Sequence, residues 1–216
     1  DIKKMPPKLL EKVKVKQSPN NIMLSPDGKY LFLTHEGDNE VLIYRSSIFT
    51  DGIRNNAKDD LIGRIVLNEG DTIDSMAFRP DAQQIWLTNQ NTNEIIIINV
   101  KNLEIITKIK APNPKNIWFS RDSETVYVTM LETNSVWVIN TEDLTYEIVE
   151  IGGTPECLIG TPDGGELLIC NPENKGLSII RTSDLTHKLI DIGTPSKSIV
   201  IVEGIKNVGN SSREII

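Results

Sequence analysis

The chain has 216 residues and a formal net charge of −7. A chain of this length can bury the core of a single domain. The acidic balance argues against a general nucleic-acid binder, which normally carries a basic stripe, and no apolar segment is long enough to cross a membrane. The sequence therefore predicts neither a nucleic-acid partner nor a transmembrane segment.

The first predicted element is a strand at the amino end. Residues 1–16 hold six lysines against Asp1 and Glu11. A basic end can bind a membrane surface or an anionic partner. However, residues 12–16 (KVKVK) alternate with period two, as a half-exposed strand does, and lysine protects an exposed sheet edge from aggregation. We therefore interpret residues 9–16 as an outermost strand of a sheet.

Internal repetition is the strongest pattern in the chain. Turn-like tetrapeptides begin at Ser25, Arg79, Ser120 and Thr161, with successive offsets of 54, 41 and 41 residues. Apolar segments rich in Ile and Val flank each turn without strict alternation, which is typical of strands covered on both faces. A period near 41 residues accommodates four short strands and is typical of β-propeller blades. The sequence predicts an all-β propeller with four complete four-stranded antiparallel blades and parts of one or two more.

Each repeat contains four predicted strands in the same order. The first strands are at residues 22–24, 76–78, 117–119 and 157–159, and the second strands at 30–33, 85–87, 126–128 and 167–170. The third strands are at 41–44, 94–100, 135–139 and 177–180, and the fourth strands at 62–67, 104–109, 146–151 and 187–192. Asparagine recurs before every third strand, which predicts turn residues there.

The first repeat is longer than the others, and the two ends leave the ring incomplete. The excess of 13 residues lies at 46–60, between the third and fourth strands, and is predicted to be a polar surface-loop insertion. Residues 194–202 look like an innermost strand without its three partners. We therefore expect residues 1–216 to form one propeller domain that is a fragment of a longer propeller, or that a missing segment or a second chain completes.

The repeats resemble the YVTN-repeat propeller family in register over about residues 9–203. The matching pieces are Tyr127-Val128-Thr129-Met130, Trp86-Leu87-Thr88-Asn89, and the joins Gly152-Gly153-Thr154-Pro155 and Gly193-Thr194-Pro195. The family's Ile-Asp pair departs to Ile-Asn at residues 98–99 and 139–140. The resemblance implies a seven-bladed ring, a periplasmic or cell-surface location and no defined chemistry. Similar propellers include sugar lactonases and haem-binding redox subunits, so the fold alone does not decide function.

Cys157 and Cys170 are the two cysteines of the chain. If Asp163-Gly164 closes a two-residue hairpin, these cysteines face each other across two strands. A cross-strand disulfide is then expected, which favours an oxidising compartment. Two separate buried thiols are the alternative, because free cysteine behaves as a small hydrophobe. The CxxC and CxxCH spacings of metal, redox and haem sites do not occur, so no cofactor is predicted.

His35 and His187 are the two histidines, and they fall in different repeats. We interpret both as surface residues, which leaves little room for a histidine general base or a multi-histidine metal site. No catalytic residue and no metal site is therefore predicted.

The remaining candidate site is geometric. Innermost strands line the central channel of a propeller, and their first residues lie near its mouth. These candidate ligand-binding residues are Asn20, Asp74, Lys115, Glu156 and Lys197. Their mixed charges could bind a small polar ligand or a cation, or could form a solvated rim. Acidic, Asn-rich loops open on the same face, at residues 36–40, 89–94, 132–135 and 171–175.

These patterns favour a non-catalytic scaffold that binds a partner protein or a surface ligand through its loop face. Two alternatives stay open. One is a lactonase-type hydrolase that uses channel-mouth carboxylates and a divalent cation. The other is an accessory subunit of a redox complex, without a cofactor of its own.

Overall fold

A computed structural model of the chain describes residues 15, 18–46 and 61–201. Within this part of the chain there are sixteen β-strands. They are β1 (Pro19–Leu24), β2 (Tyr30–His35), β3 (Glu40–Arg45), β4 (Leu61–Val66), β5 (Ser75–Phe78), β6 (Gln84–Asn89), β7 (Glu94–Asn99), β8 (Ile105–Lys110), β9 (Pro114–Phe119), β10 (Thr125–Met130), β11 (Ser135–Asn140), β12 (Tyr146–Glu150), β13 (Cys157–Gly160), β14 (Glu166–Asn171), β15 (Gly176–Arg181) and β16 (His187–Asp191).

The strands form four antiparallel sheets, each made of four consecutive strands in chain order. The first strands of successive sheets, β1, β5, β9 and β13, lie side by side. The predicted all-β propeller with four four-stranded antiparallel blades is confirmed. Within the residues described, no helix has the length and hydropathy needed to cross a membrane.

Two predictions about the ends have different outcomes. Residues 194–200 form no strand, and residue 201 makes only an isolated bridge, so the predicted fifth innermost strand is wrong for this stretch. A strand needs a ladder partner, and no described strand follows it to supply one. The predicted strand at 9–16 and the predicted loop at 46–60 lie outside the described residues, apart from Val15 and Ser46.

The core lies between successive blades. Because side chains alternate across a strand, one face of each blade packs on the preceding blade and the other face packs on the next one. Phe32 of the first blade meets Phe78 of the second with ring centroids 4.8 Å apart, and Trp86 of the second meets Phe119 of the third at 5.6 Å. Both faces are therefore buried, which explains apolar runs without alternation such as Ile95–Ile98.

The inner end of the first blade has an uncovered apolar face. Ile22 and Leu24 of β1 are 67% and 52% exposed, whereas Met76 and Phe78, at the same positions of the second blade, are buried against the first blade. The outer part of the same face, at Leu33, Leu42 and Tyr44, is buried. The first blade thus carries the surface that the other blades use for packing on a predecessor.

The register of β13 and β14 brings the two cysteines together. Cys157 pairs directly with Cys170, and a disulfide joins their sulfurs at 2.15 Å. The turn between these strands differs from the prediction, because residues 162–165 form a four-residue turn and not a two-residue hairpin. A turn lengthened by one residue on each side leaves the pairing of the strands unchanged. The predicted facing register therefore occurs with a different turn.

Candidate functional site

The candidate channel-mouth residues lie at the starts of the innermost strands. Asn20 is in β1 and Lys115 is in β9, while Asp74 and Glu156 immediately precede β5 and β13. Lys197 is exposed and follows the fourth blade, in a stretch without a strand. The structure therefore places the first four at equivalent positions of successive blades, and Lys197 outside this regular arrangement.

The backbone at these positions joins neighbouring blades. The Asn21 amide donates to the Asp74 carbonyl at 2.8 Å, and the Thr88 hydroxyl donates to the Lys115 carbonyl at 2.8 Å. The Asn116 amide donates to the Glu156 carbonyl in the same way at the next junction. Three of the candidate positions thus have a structural role that depends on their main chain and not on their side chains.

Two of the candidate side chains are also committed to the scaffold. Asn20 donates from its amide to the carbonyl of Ile73 at 3.0 Å, and the Asp74 carboxylate accepts from the backbone N–H of Gln90 at 2.8 Å. Among residues 18–46 and 61–201, no group of three or more His, Cys, Asp or Glu side chains is arranged to hold a metal ion. What this rim offers chemically is a mixed-charge surface of hydrogen-bonding groups.

The loops between second and third strands open on the face of the channel mouth. Each loop presents exposed polar groups, among them Glu36, Asn91, Glu132 and Glu173. Because successive strands of a blade run antiparallel, these loops share one face with the joins that lead from each fourth strand to the next blade. We call this side of the molecule the loop face, and the side with the turns between first and second strands the turn face.

Buried asparagines at the ends of second strands hold the loop face in place. The Asn89 amide donates to the Asp71 carboxylate at 2.7 Å, and its oxygen accepts from the backbone N–H of Thr92 at 3.2 Å. In the fourth blade, Asn171 donates to the Gly152 carbonyl and to the Ser178 hydroxyl. Our sequence reasoning did not assign this role to Asn89 or Asn171. The signal was present, because Asn89 ends the YVTN-like tetrapeptide.

Of the asparagines predicted as turn residues, Asn93 and Asn134 adopt positive φ angles of 56° and 50°. In the other two loops Gly37 and Lys175 take this conformation instead, with φ of 71° and 51°. The asparagines also bond the joins, since Asn39 donates to the Leu67 carbonyl at 3.0 Å.

An ion-pair network lies on the second blade beneath the loop face. Glu94 accepts from Lys108 and from Lys110, each at 2.9 Å, and Lys108 is also 3.5 Å from the buried Asp71 carboxylate. The hydrogen bond from Lys110, together with Lys108 and the Thr92 hydroxyl, holds the pKa of Glu94 at about 2, against an ordinary 4.5. The network ties the third and fourth strands to the preceding join.

This network predicts a specific dependence of stability on pH. Because the folded-state pKa of Glu94 lies below its ordinary value, its stabilising contribution is present above pH 4.5 and is lost as the pH falls toward 2. We expect Glu94→Gln to lower stability at neutral pH and to flatten the pH dependence in that window, measured by urea unfolding at several pH values. Glu40→Gln is the matched control, since Glu40 begins the third strand of the first blade and lies 3.4 Å from Arg64. An equal change in both variants would contradict the prediction.

The histidine prediction is wrong for His35. His35 ends β2, is 2% exposed, and has no hydrogen-bond partner for either ring nitrogen within the described part of the chain. It occupies the second-strand position that Asn89 and Asn171 hold in other blades, which is why it is buried. His187, at the start of β16, is half-buried, and burial lowers its pKa.

Fold and site together define a β-propeller whose loop face is polar and held by internal hydrogen bonds. No family model and no curated protein matches the chain. Solved structures do match. Hydrazine synthase of Kuenenia stuttgartiensis is 19% identical with a TM-score of 0.69, over 88% of this chain and 54% of that one.

Two further solved structures extend the range of similar proteins. A Swd1 β-propeller domain from Myceliophteria thermophila is 9% identical with a TM-score of 0.71, over 91% of this chain and 62% of that one. The periplasmic gluconolactonase of Pseudomonas aeruginosa is 19% identical with a TM-score of 0.66, over 82% and 55%. The chain thus spans less than two thirds of these proteins, and at such identities the likeness shows the fold alone.

Proposed function

We propose that the chain is a non-catalytic scaffold of the YVTN-repeat kind that binds a partner protein through its loop face. The observation that carries this proposal is the contrast between the tips and the ends of the loops. Glu36, Glu132 and Glu173 are exposed at the tips, whereas Asn89 and Asn171 are fully buried at the ends of second strands. A surface whose loops are already ordered loses little conformational entropy on binding.

The chemistry of this face specifies the partner. The exposed loop residues are acidic and Asn-rich, so a partner surface with lysine or arginine complements them. Polar loops of this type form hydrogen bonds across an interface more readily than they enclose an apolar ligand.

We further propose an extracytoplasmic location and a larger ring. The Cys157–Cys170 disulfide supports an oxidising compartment, and one similar solved protein is described as periplasmic. The exposed Ile22 and Leu24 support a further blade packed on the first one, supplied either by a longer chain or by a second chain. A seven-bladed ring fits a chain that spans 54% to 62% of similar solved proteins.

Charge reversal on the loop face tests the binding proposal. The partner is first captured by cross-linking in the extracytoplasmic fraction and identified by mass spectrometry, and its affinity for the purified chain is then measured by calorimetry. We expect Glu36→Lys/Glu132→Lys/Glu173→Lys to weaken binding at least about tenfold, or about 1.4 kcal/mol. The control is Glu104→Lys/Glu124→Lys/Glu142→Lys, which reverses three exposed charges at the other end of the blades and is expected to bind as the unmodified chain does.

Equal affinity of the two triple variants would contradict the proposal. The hydrolase alternative gains support if the chain hydrolyses gluconolactone with a divalent cation and loses that activity in Asp74→Asn or Glu156→Gln. The redox alternative gains support if the captured partner carries haem or a metal.

A further inference from the structure

The junction between the third and fourth blades breaks the packing rule of the earlier junctions. Phe78 and Phe119 end the first strands of their blades and pack edge-on against Phe32 and Trp86 of the preceding blade. The residue at the same position of the fourth blade is Gly160. The aromatic side chain that would pack against the third blade is therefore missing at this junction.

A tryptophan from the other side takes part of the vacated room. A Cβ added to Gly160 would lie 2.5 Å from Nε1 of Trp118. At the preceding junction the corresponding pair is Ala77 and Phe119, so the large and the small residue have changed places between the two blades. Trp118 does not refill the whole volume, because the indole reaches the space from a different direction.

A cavity of about 480 Å³ remains at this junction, on the turn face. Its floor includes Trp118, which is 38% exposed, and Tyr127, which is 6% exposed. No hydrogen bond to the Tyr127 hydroxyl occurs among the described residues. Around the floor stand the charged side chains Arg121, Asp122, Asp163 and Glu166 and the hydroxyls of Thr161 and Thr182.

The protonation states of the lining are those of a site with both donors and acceptors. The Ser120 hydroxyl and the Glu124 backbone N–H lower the pKa of Asp122, so this carboxylate accepts hydrogen bonds at neutral pH. Burial, with a smaller effect of Asp122, raises the pKa of Tyr127, so its hydroxyl keeps a proton to donate. Arg121 adds a permanent donor.

We propose that this cavity binds a pyranose ring of a carbohydrate. The C–H face of a pyranose packs on an exposed indole, and its hydroxyls donate to carboxylates while they accept from a guanidinium or a phenol. An organic cation would meet Arg121, and an anion would meet three carboxylates. A neutral ligand that is both donor and acceptor matches every group in the lining. This site lies on the turn face and is independent of the proposed loop-face partner.

The first experiment titrates the purified chain with methyl β-glucopyranoside, methyl α-mannopyranoside and N-acetylglucosamine, followed by calorimetry and tryptophan fluorescence. Because Trp86 and Trp137 are buried, Trp118 is the tryptophan whose emission a ligand at this cavity reaches directly. We expect saturable binding of at least one pyranose with a change in emission. Tetramethylammonium and sulfate are the probes for a cation site and an anion site. Binding of either of these in place of the sugars, or saturable binding of none of the probes, would overturn the proposal.

The second experiment fills the cavity without disturbing the total packing volume. Trp118→Ala/Gly160→Phe recreates the Ala77–Phe119 pair of the preceding junction and is expected to keep the thermal midpoint of the unmodified chain while it weakens sugar binding at least about tenfold. Tyr127→Phe keeps the ring, removes the free hydroxyl and is expected to weaken binding severalfold, which preserves a test if the double variant folds poorly. Unchanged affinity in both variants would show that any sugar binds elsewhere.

Discussion

Replacing Trp86 by alanine is expected to lower the free energy of unfolding by about 3–5 kcal/mol. Trp86 is fully buried between the second and third blades, and its ring packs edge-on against Phe119. Its Nε1 donates to the Gln84 side chain at 2.8 Å, so removal also leaves that acceptor without its donor. The measurement is the urea midpoint at constant slope, which reports stability without a change in compactness.

Trp118→Ala is the matched control for this prediction, since it removes the same side chain from a half-exposed position. A smaller loss is expected there because part of the indole surface already contacts water in the folded chain. If the two variants lost equal stability, or if Trp86→Ala lost under about 1 kcal/mol, packing between blades would not be the main source of stability in this fold.

The architecture could be predicted because it is repeated. A strand pattern seen once is ambiguous between a buried helix and a buried strand, but four copies at a fixed spacing leave few alternatives. Blade packing also explains why register could be predicted from Cys157 and Cys170: each strand is covered on both faces, so a shift by one residue would reverse every side chain. The turn itself was predicted wrongly, because two-residue and four-residue turns give the same pairing.

Individual sites were less predictable, because they depend on which atoms meet across a junction. The channel-mouth residues were chosen for their side chains, yet Asp74, Lys115 and Glu156 accept inter-blade hydrogen bonds through their carbonyls. His35 was expected at the surface because histidine is polar, but its place in the blade is a buried one.

The cavity at Gly160 illustrates an intermediate case. Phenylalanine, phenylalanine and glycine occur at one repeated position, residues 78, 119 and 160, so the sequence marks the junction as different. The sequence does not show how far Trp118 fills the space, because that depends on the direction in which the indole leaves its strand.

The second large effect concerns the disulfide. Replacing both cysteines by serine is expected to lower the free energy of unfolding by about 3 kcal/mol. The bridge joins residues with a sequence separation of 13, and it restricts the unfolded chain by closing this loop. The same loss is expected when the unmodified chain is unfolded in the presence of a reductant, and reductant should not change the stability of the serine variant.

Neighbouring blades supply the control that separates the covalent bond from the local packing. At the same positions the first blade has Asn21 and Thr34, and the third has Asn116 and Thr129. In both pairs the threonine hydroxyl accepts from the asparagine backbone N–H, at 3.1 Å and 2.9 Å. Cys157→Asn/Cys170→Thr copies this arrangement and is expected to recover about 1 kcal/mol relative to the serine variant, the usual contribution of one hydrogen bond. Full recovery would mean that the bridge contributes no more than the polar pair does, and that loop closure is not the reason for its effect.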